Sequence, residues 1–121
     1  MKAHHAMATL LAANMVVACA ATPADHGLAE VTRKALADAS RRSGDSSAAI
    51  EVVSAAHVVW RDGSLGCPQP DRAYTQSVVD GYRVIVRTRS GLLDYHASLR
   101  GEPVLCPADR AQDPLPENGR T

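Results

Sequence analysis

The segment Gly81 to Arg89, GYRVIVRTR, alternates apolar and basic residues. A two-residue period of this kind points to a β-strand with one buried face. Tyr82, Val84 and Val86 fall on one side; Arg83, Arg87 and Arg89 fall on the other, with Ile85 between them. Ser90-Gly91 makes a turn, and LLDYHAS runs back with Leu93, Tyr95 and Ala97 inward and Asp94, His96 and Ser98 outward. Arg100-Gly101 turns again before PVLC, a short edge strand because Pro103 has no N–H for a ladder. Upstream, Ile50, Val52, Ser54, Ala56, Val58 and Trp60 share one side of a further run. Glu51, His57 and Arg61 lie on its other side, with Val53, Ala55 and Val59. Before that, Leu28, Val31, Ala35, Leu36 and Ala39 recur at helical spacing, opposite Glu30, Arg33, Lys34 and Asp38. Asp25 suits the start of this helix, and Gly44 after Arg41 and Arg42 suits its end. The expected fold is α+β: one N-terminal helix packed on a three- to four-stranded antiparallel sheet, a single small domain over 28–106. From Pro107 onward there are three prolines and almost no apolar residues, which reads as a disordered tail, 107–121.

The core available to such a fold is thin. Phe is absent and there is one Trp, so Val, Leu, Ile and Ala must supply it, and a covalent staple would help. The N-terminus indicates where a staple could form. Lys2 precedes a short apolar run, Ala8 to Ala18, too short to span a bilayer and suited to a signal peptide over 1–18. The run ends in VVAC, Val16 to Cys19. Small or aliphatic residues before a cysteine resemble the lipobox of bacterial lipoproteins. That resemblance implies acylation of Cys19, with palmitate-type chains and a membrane anchor, and a tether over 19–27. Ala at position 20, rather than Asp, implies outer-membrane sorting where the Asp-based retention rule holds. The other reading is ordinary secretion, cleaved after Ala18-Cys19-Ala20. Either way Cys67 and Cys106 remain, and two cysteines in an exported chain most often pair. Their bridge would close a loop of 39 residues, stabilising by about 3–4 kcal/mol.

Cys67 lies in the densest stretch of the chain, WRDGSLGCPQPDRAYTQ, Trp60 to Gln76. Asp62-Gly63 is a turn signal, and Pro68 and Pro70 hold the following backbone extended. The pattern W-x-D-G-S-L-G-C-P-x-P, then Y-T-Q, then G-Y, then Y-H and a late cysteine resembles a family of small, exported, uncharacterised bacterial proteins. Here it is carried by Trp60, Asp62, Gly63, Ser64, Leu65, Gly66, Cys67, Pro68, Pro70, Tyr74, Thr75, Gln76, Gly81, Tyr82, Tyr95, His96 and Cys106. Relatives often have glycine where this chain has Asp71. The resemblance implies a fold type and an envelope location, and no named activity.

Thirteen basic and thirteen acidic residues cancel, which argues against a dedicated nucleic-acid partner. There is no phosphate loop, no G-x-G-x-x-G and no nucleophile elbow around Ser64. His57, His96 and Asp94 match no zinc spacing, so neither a metal nor a cofactor is expected. The expectation is a lipid-anchored envelope protein of non-enzymatic binding or accessory type, facing the periplasm or exterior. A soluble periplasmic or secreted form is the alternative. Its candidate contact loop comprises Trp60, Asp62, Gly63, Leu65, Gly66, Pro68, Pro70, Tyr74 and Gln76. The partners are then the membrane and an envelope protein, the small-molecule ligand being open. One rival is a protease-inhibitor-like protein using Leu65 to Pro70, since a rigid, stapled loop lowers the entropy cost of binding. Another is a small hydrolase using Asp62 or Asp71 with His96. The stripe Arg83, Arg87 and Arg89 suits either anionic headgroups or plain solvent.

Overall fold

The computed structural model describes residues 12–18 and 23–117. Cys19 and most of the signal segment lie outside the described residues; 12–18 carry no regular structure and are exposed. Helix α1 (Pro23–Ser43) is followed by a short 3₁₀ turn (Ser47–Ala49). The strands are β1 (Glu51–Trp60), β2 (Val79–Thr88), β3 (Gly91–Ser98) and β4 (Val104–Cys106). They form one antiparallel meander in the order β1-β2-β3-β4. The expected α+β architecture, with its one helix and one disulfide, is what the chain adopts.

The helix begins at Pro23, a residue suited to a first turn. It thereby takes in residues assigned above to the tether. It ends on Gly44, whose φ of 77° and N–H to the Ser40 carbonyl (2.9 Å) close the last turn. Its apolar stripe packs on the sheet face formed by Tyr82, Val84, Val86, Tyr95 and Ala97. Ala35 and Ala39 are fully buried, and these small side chains bring helix and sheet close. A polar link crosses the same layer: Tyr95 Oη donates to Asp38 (2.8 Å), which also holds Arg42. Burial disfavours the Asp38 charge, but the hydrogen bonds from Arg42 and Tyr95 outweigh it and keep the carboxyl below its usual range. Burial first, and Asp38 second, push the Tyr95 phenol up.

Two expectations fail here. The strict alternation along β1 is interrupted by a bulge between Val52 and Ser54. Before the bulge, Val52 opposes Val86 on the helix face; after it, Ala55 and His57 oppose Val84 and Tyr82. Ala56, Val58 and Trp60 therefore point to the other face, because an extra residue inverts the parity of all that follows. The tail is the second correction. Residues 107–117 are not a free coil but run back along the sheet. Gln112 N–H donates to the Gly66 carbonyl (2.8 Å), Leu115 N–H donates to the Val59 carbonyl (2.9 Å), and Asp113 meets Arg83 at 2.9 Å. Composition misled because this segment is held by backbone hydrogen bonds and one ion pair rather than by apolar side chains.

Candidate functional site

The sheet face away from α1 carries a second, smaller core, and the residues of the dense loop build it. Trp60 ends β1, fully buried. Its ring stacks on His96 from β3 (centroids 4.4 Å apart, planes 24° apart), and its Nε1–H donates to the Ala97 carbonyl at 3.0 Å. Two glycines make room. A Cβ on Gly81 would lie 2.0 Å from the Ala97 carbonyl oxygen and 2.8 Å from Trp60 Nε1. A Cβ on Gly66 would lie 2.6 Å from the Trp60 ring and 2.7 Å from the Gln112 carbonyl oxygen.

The loop reaches this core by winding tightly. Asp62 accepts hydrogen bonds from the Ser64 N–H (2.8 Å) and hydroxyl, which hold its carboxyl below the usual range. Gly63 N–H donates to the Thr75 carbonyl (2.8 Å), tying the two limbs of the loop together. Leu65 (φ 54°) and Gly66 (φ 67°) then take left-handed backbone. For Leu65 that conformation costs about 1–2 kcal/mol, and it aims the Leu65 carbonyl at His96 Nδ1, 2.6 Å away. Cys67 next meets Cys106, Cα atoms 5.7 Å apart, across the end of β4.

His96 is therefore not on an outward face; it is 1% exposed. Its Nε2 faces Asp94 at 3.0 Å, and Asp94 in turn takes a two-pronged contact from Arg83 (Nε 3.0 Å, Nη2 2.8 Å). Burial opposes the Asp94 charge, but the hydrogen bonds from His96 and Arg83 win and bring its pKa down to about 2. An aspartate–histidine pair works as a general base only if the second ring nitrogen faces a substrate. Here that nitrogen is occupied by a main-chain carbonyl, so the pair fixes the loop. Asp62 is likewise engaged as a turn cap. Asp71 is exposed in the other limb at φ 60°.

The predicted loop thus divides in two. Trp60, Ser64 and Gly66 are buried, and Asp62, Gly63, Leu65 and Cys67 bond within the molecule. Gln69 to Gln76 is exposed apart from half-buried Tyr74. Tyr74 Oη accepts from the Gln69 N–H (2.9 Å), and Gln76 donates to the Tyr74 carbonyl (3.0 Å), so this limb has an internal frame. A groove of about 380 Å³ separates Pro68–Pro70 from Asp109–Gln112. Within the inhibitor-like stretch Leu65 to Pro70, Leu65 and Gly66 take left-handed backbone and Gly66 is buried, whereas Gln69 and Pro70 are exposed. His57 contacts Tyr82 on the helix face, opposite to His96. Among the described residues no cluster of His, Cys, Asp or Glu is arranged to hold a metal ion. The arginine stripe is also committed: Arg83 to Asp94 and Asp113, Arg87 to Glu51, and Arg89 to Asp45. Sequence reasoning missed the Arg83–Asp94–His96 chain. Its one available signal was the D-x-H spacing, which puts Asp94 and His96 on one face of β3.

A cavity of about 880 Å³ runs along β4, and Arg83, Asp94 and Cys106 of the site just described line part of it. Ile85, Leu92, Leu93, Val104 and Leu105 contribute to it, together with the Asp38–Arg42 pair. The family model of a domain of unknown function, DUF8738, matches residues 32–106. This span covers most of α1, the whole sheet and both cysteines of the staple. No curated protein and no solved structure matches the chain.

Proposed function

We propose, for a chain that belongs to the family of the domain of unknown function DUF8738, a non-enzymatic binding or accessory role in the cell envelope, exercised from a lipid anchor at Cys19. The observation that carries this reading is the pairing of Cys67 with Cys106. Disulfides persist in oxidising compartments. With two of the three cysteines consumed, the thiol left over is the one at the end of VVAC. The binding surface in this reading is the exposed limb Gln69 to Gln76 with the adjoining groove. The limb has the properties of a recognition segment: a pinned backbone, Pro70 to reduce its freedom, and side chains open to a partner. The buried limb, Trp60 to Cys67, holds it in place.

Intact mass of the protein from the membrane fraction of its native host tests the anchor. The expected species starts at Cys19, carries acyl chains, and gains two alkylatable thiols only after reduction. A chain cut near Ala21 without lipid would replace the anchored reading with a soluble, secreted one. The binding surface is tested by pull-down from envelope extracts with Tyr74→Ala and Gln76→Ala variants. Capture of the same partners by variant and wild type would remove the loop from the interface.

A further inference from the structure

Three residues, 20–22, separate Cys19 from the first residue of α1. Fully extended, four residue steps reach at most about 14 Å. The helix itself is 21 residues long, about 30 Å. A chain acylated at Cys19 therefore cannot hold the domain clear of the bilayer, and the end of the domain beside the helix start must lie at the headgroups.

The structure identifies that end. Gly27 packs directly against Tyr82: a Cβ there would lie 2.2 Å from the phenol oxygen. The same helical turn shares a small cleft with Ser98, Leu99, Arg100 and Gly101, the connection from β3 to β4. Ser98 opposes Gly81, so the start of β2 lies at this end too. Two large apolar side chains are exposed there: Leu99, 48% exposed, and Val78, 63% exposed. Arg100 is exposed beside Leu99, a pairing of apolar and cationic groups suited to an anionic interface, with Glu102 and Asp80 exposed at the same end but held by Lys34 and His57. The opposite end of β2 exposes Leu92 and Val53, with Arg87 and Arg89 there held by carboxylate partners; the short reach from Cys19 is what selects between the two ends.

We infer that the end of the domain bearing Leu99, Arg100 and Val78 seats on the bilayer that holds the acyl chains, an inference that rests on anchoring at Cys19. Leu99 and Val78 enter the headgroup boundary, and Arg100 meets lipid phosphate. The hairpin turn at Ser90-Gly91, beyond the far end of the helix, points away from the membrane.

The test is quenching of an introduced tryptophan by vesicles of phosphatidylcholine and phosphatidylglycerol with brominated acyl chains. Leu99→Trp and Val78→Trp report the seated end and Ser90→Trp the far end, against the constant background of Trp60. Each is made in the acylated protein and, in parallel, in the full chain coupled through its Cys19 thiol to maleimide lipid. Brominated lipid should quench the added indole of Leu99→Trp or Val78→Trp, as expected for a side chain at the acyl boundary, and leave Ser90→Trp unchanged. Equal quenching at the two ends, or none at either on anchored protein, overturns the seating. The coupled chain separates the two ideas: if the native protein carries no lipid but the coupled chain shows the end-specific quenching, the anchor fails and the seating geometry stands.

Discussion

At the scale of single residues, the motif that marks this chain is mostly an account of how one tryptophan is enclosed. Gly81 has no room for a side chain, because the Ala97 carbonyl and the Trp60 ring occupy its space. Gly81→Ala should destabilise by about 3 kcal/mol or prevent folding, measured by denaturant titration. Asp71 is the opposite case: it holds φ 60° in the open, so Asp71→Gly should raise stability by about 0.5 kcal/mol by relieving left-handed strain. An unchanged or lower midpoint would count against that strain. Asp94 sets an acid limit. Its pKa is about 2 in the folded chain and near 4 in an unfolded one. The stability contributed by its charge is complete above the unfolded value and is lost as pH falls through about 2. Asp94→Asn should lower stability at neutral pH and flatten the acid limb of the stability curve; an unaltered limb would remove Asp94 from the linkage. The glycine pattern and the Asp62 turn were legible from residue types. The burial of His96 was not, because the fold covers both faces of β3 and alternation announces only one.

At the scale of elements, the staple and the tail do what a larger core would do. The disulfide closes 39 residues between the loop and β4. Replacing both cysteines by serine should cost about 4 kcal/mol in the chain-entropy account. Its reach should be local. Hydrogen exchange in the reduced protein should quicken in 61–77 and 104–117, while β2 and the inner face of β3 stay protected by α1. Uniform loss of protection would mean that the two cores fold as one. Helix, strands and staple could be predicted because periodicity and cysteine count are local signals. The bulge at Val52/Ser54 and the return of 107–117 could not, since each depends on a partner distant in sequence. That return also covers part of an edge. With Leu115 bonded to Val59, the outer side of β1 is partly closed to strand pairing. A chain shortened after Ala111 should self-associate more than the full one in sedimentation; equal behaviour would deny the tail that role.

At the scale of the whole molecule, two unequal cores share one sheet, one closed by a helix and the other by a loop, a tail and a covalent bond. The α+β outline was visible in the sequence because the helix and β2 each show one period cleanly. The stapled face was visible only as a conspicuous string of residues, whose joint purpose appears once Trp60, His96 and Gly81 are neighbours. Its construction also bears on the protein's biogenesis. β4 has three residues, at the short end of the usual range, and it precedes the tail, which bonds to the loop and to β1. The bond that secures β4 joins Cys106 to a residue 39 positions earlier, so on the exported reading proposed above it would form only where disulfides persist. A chain kept among reducing thiols should then lack the stapled face, and completion of the fold would follow delivery.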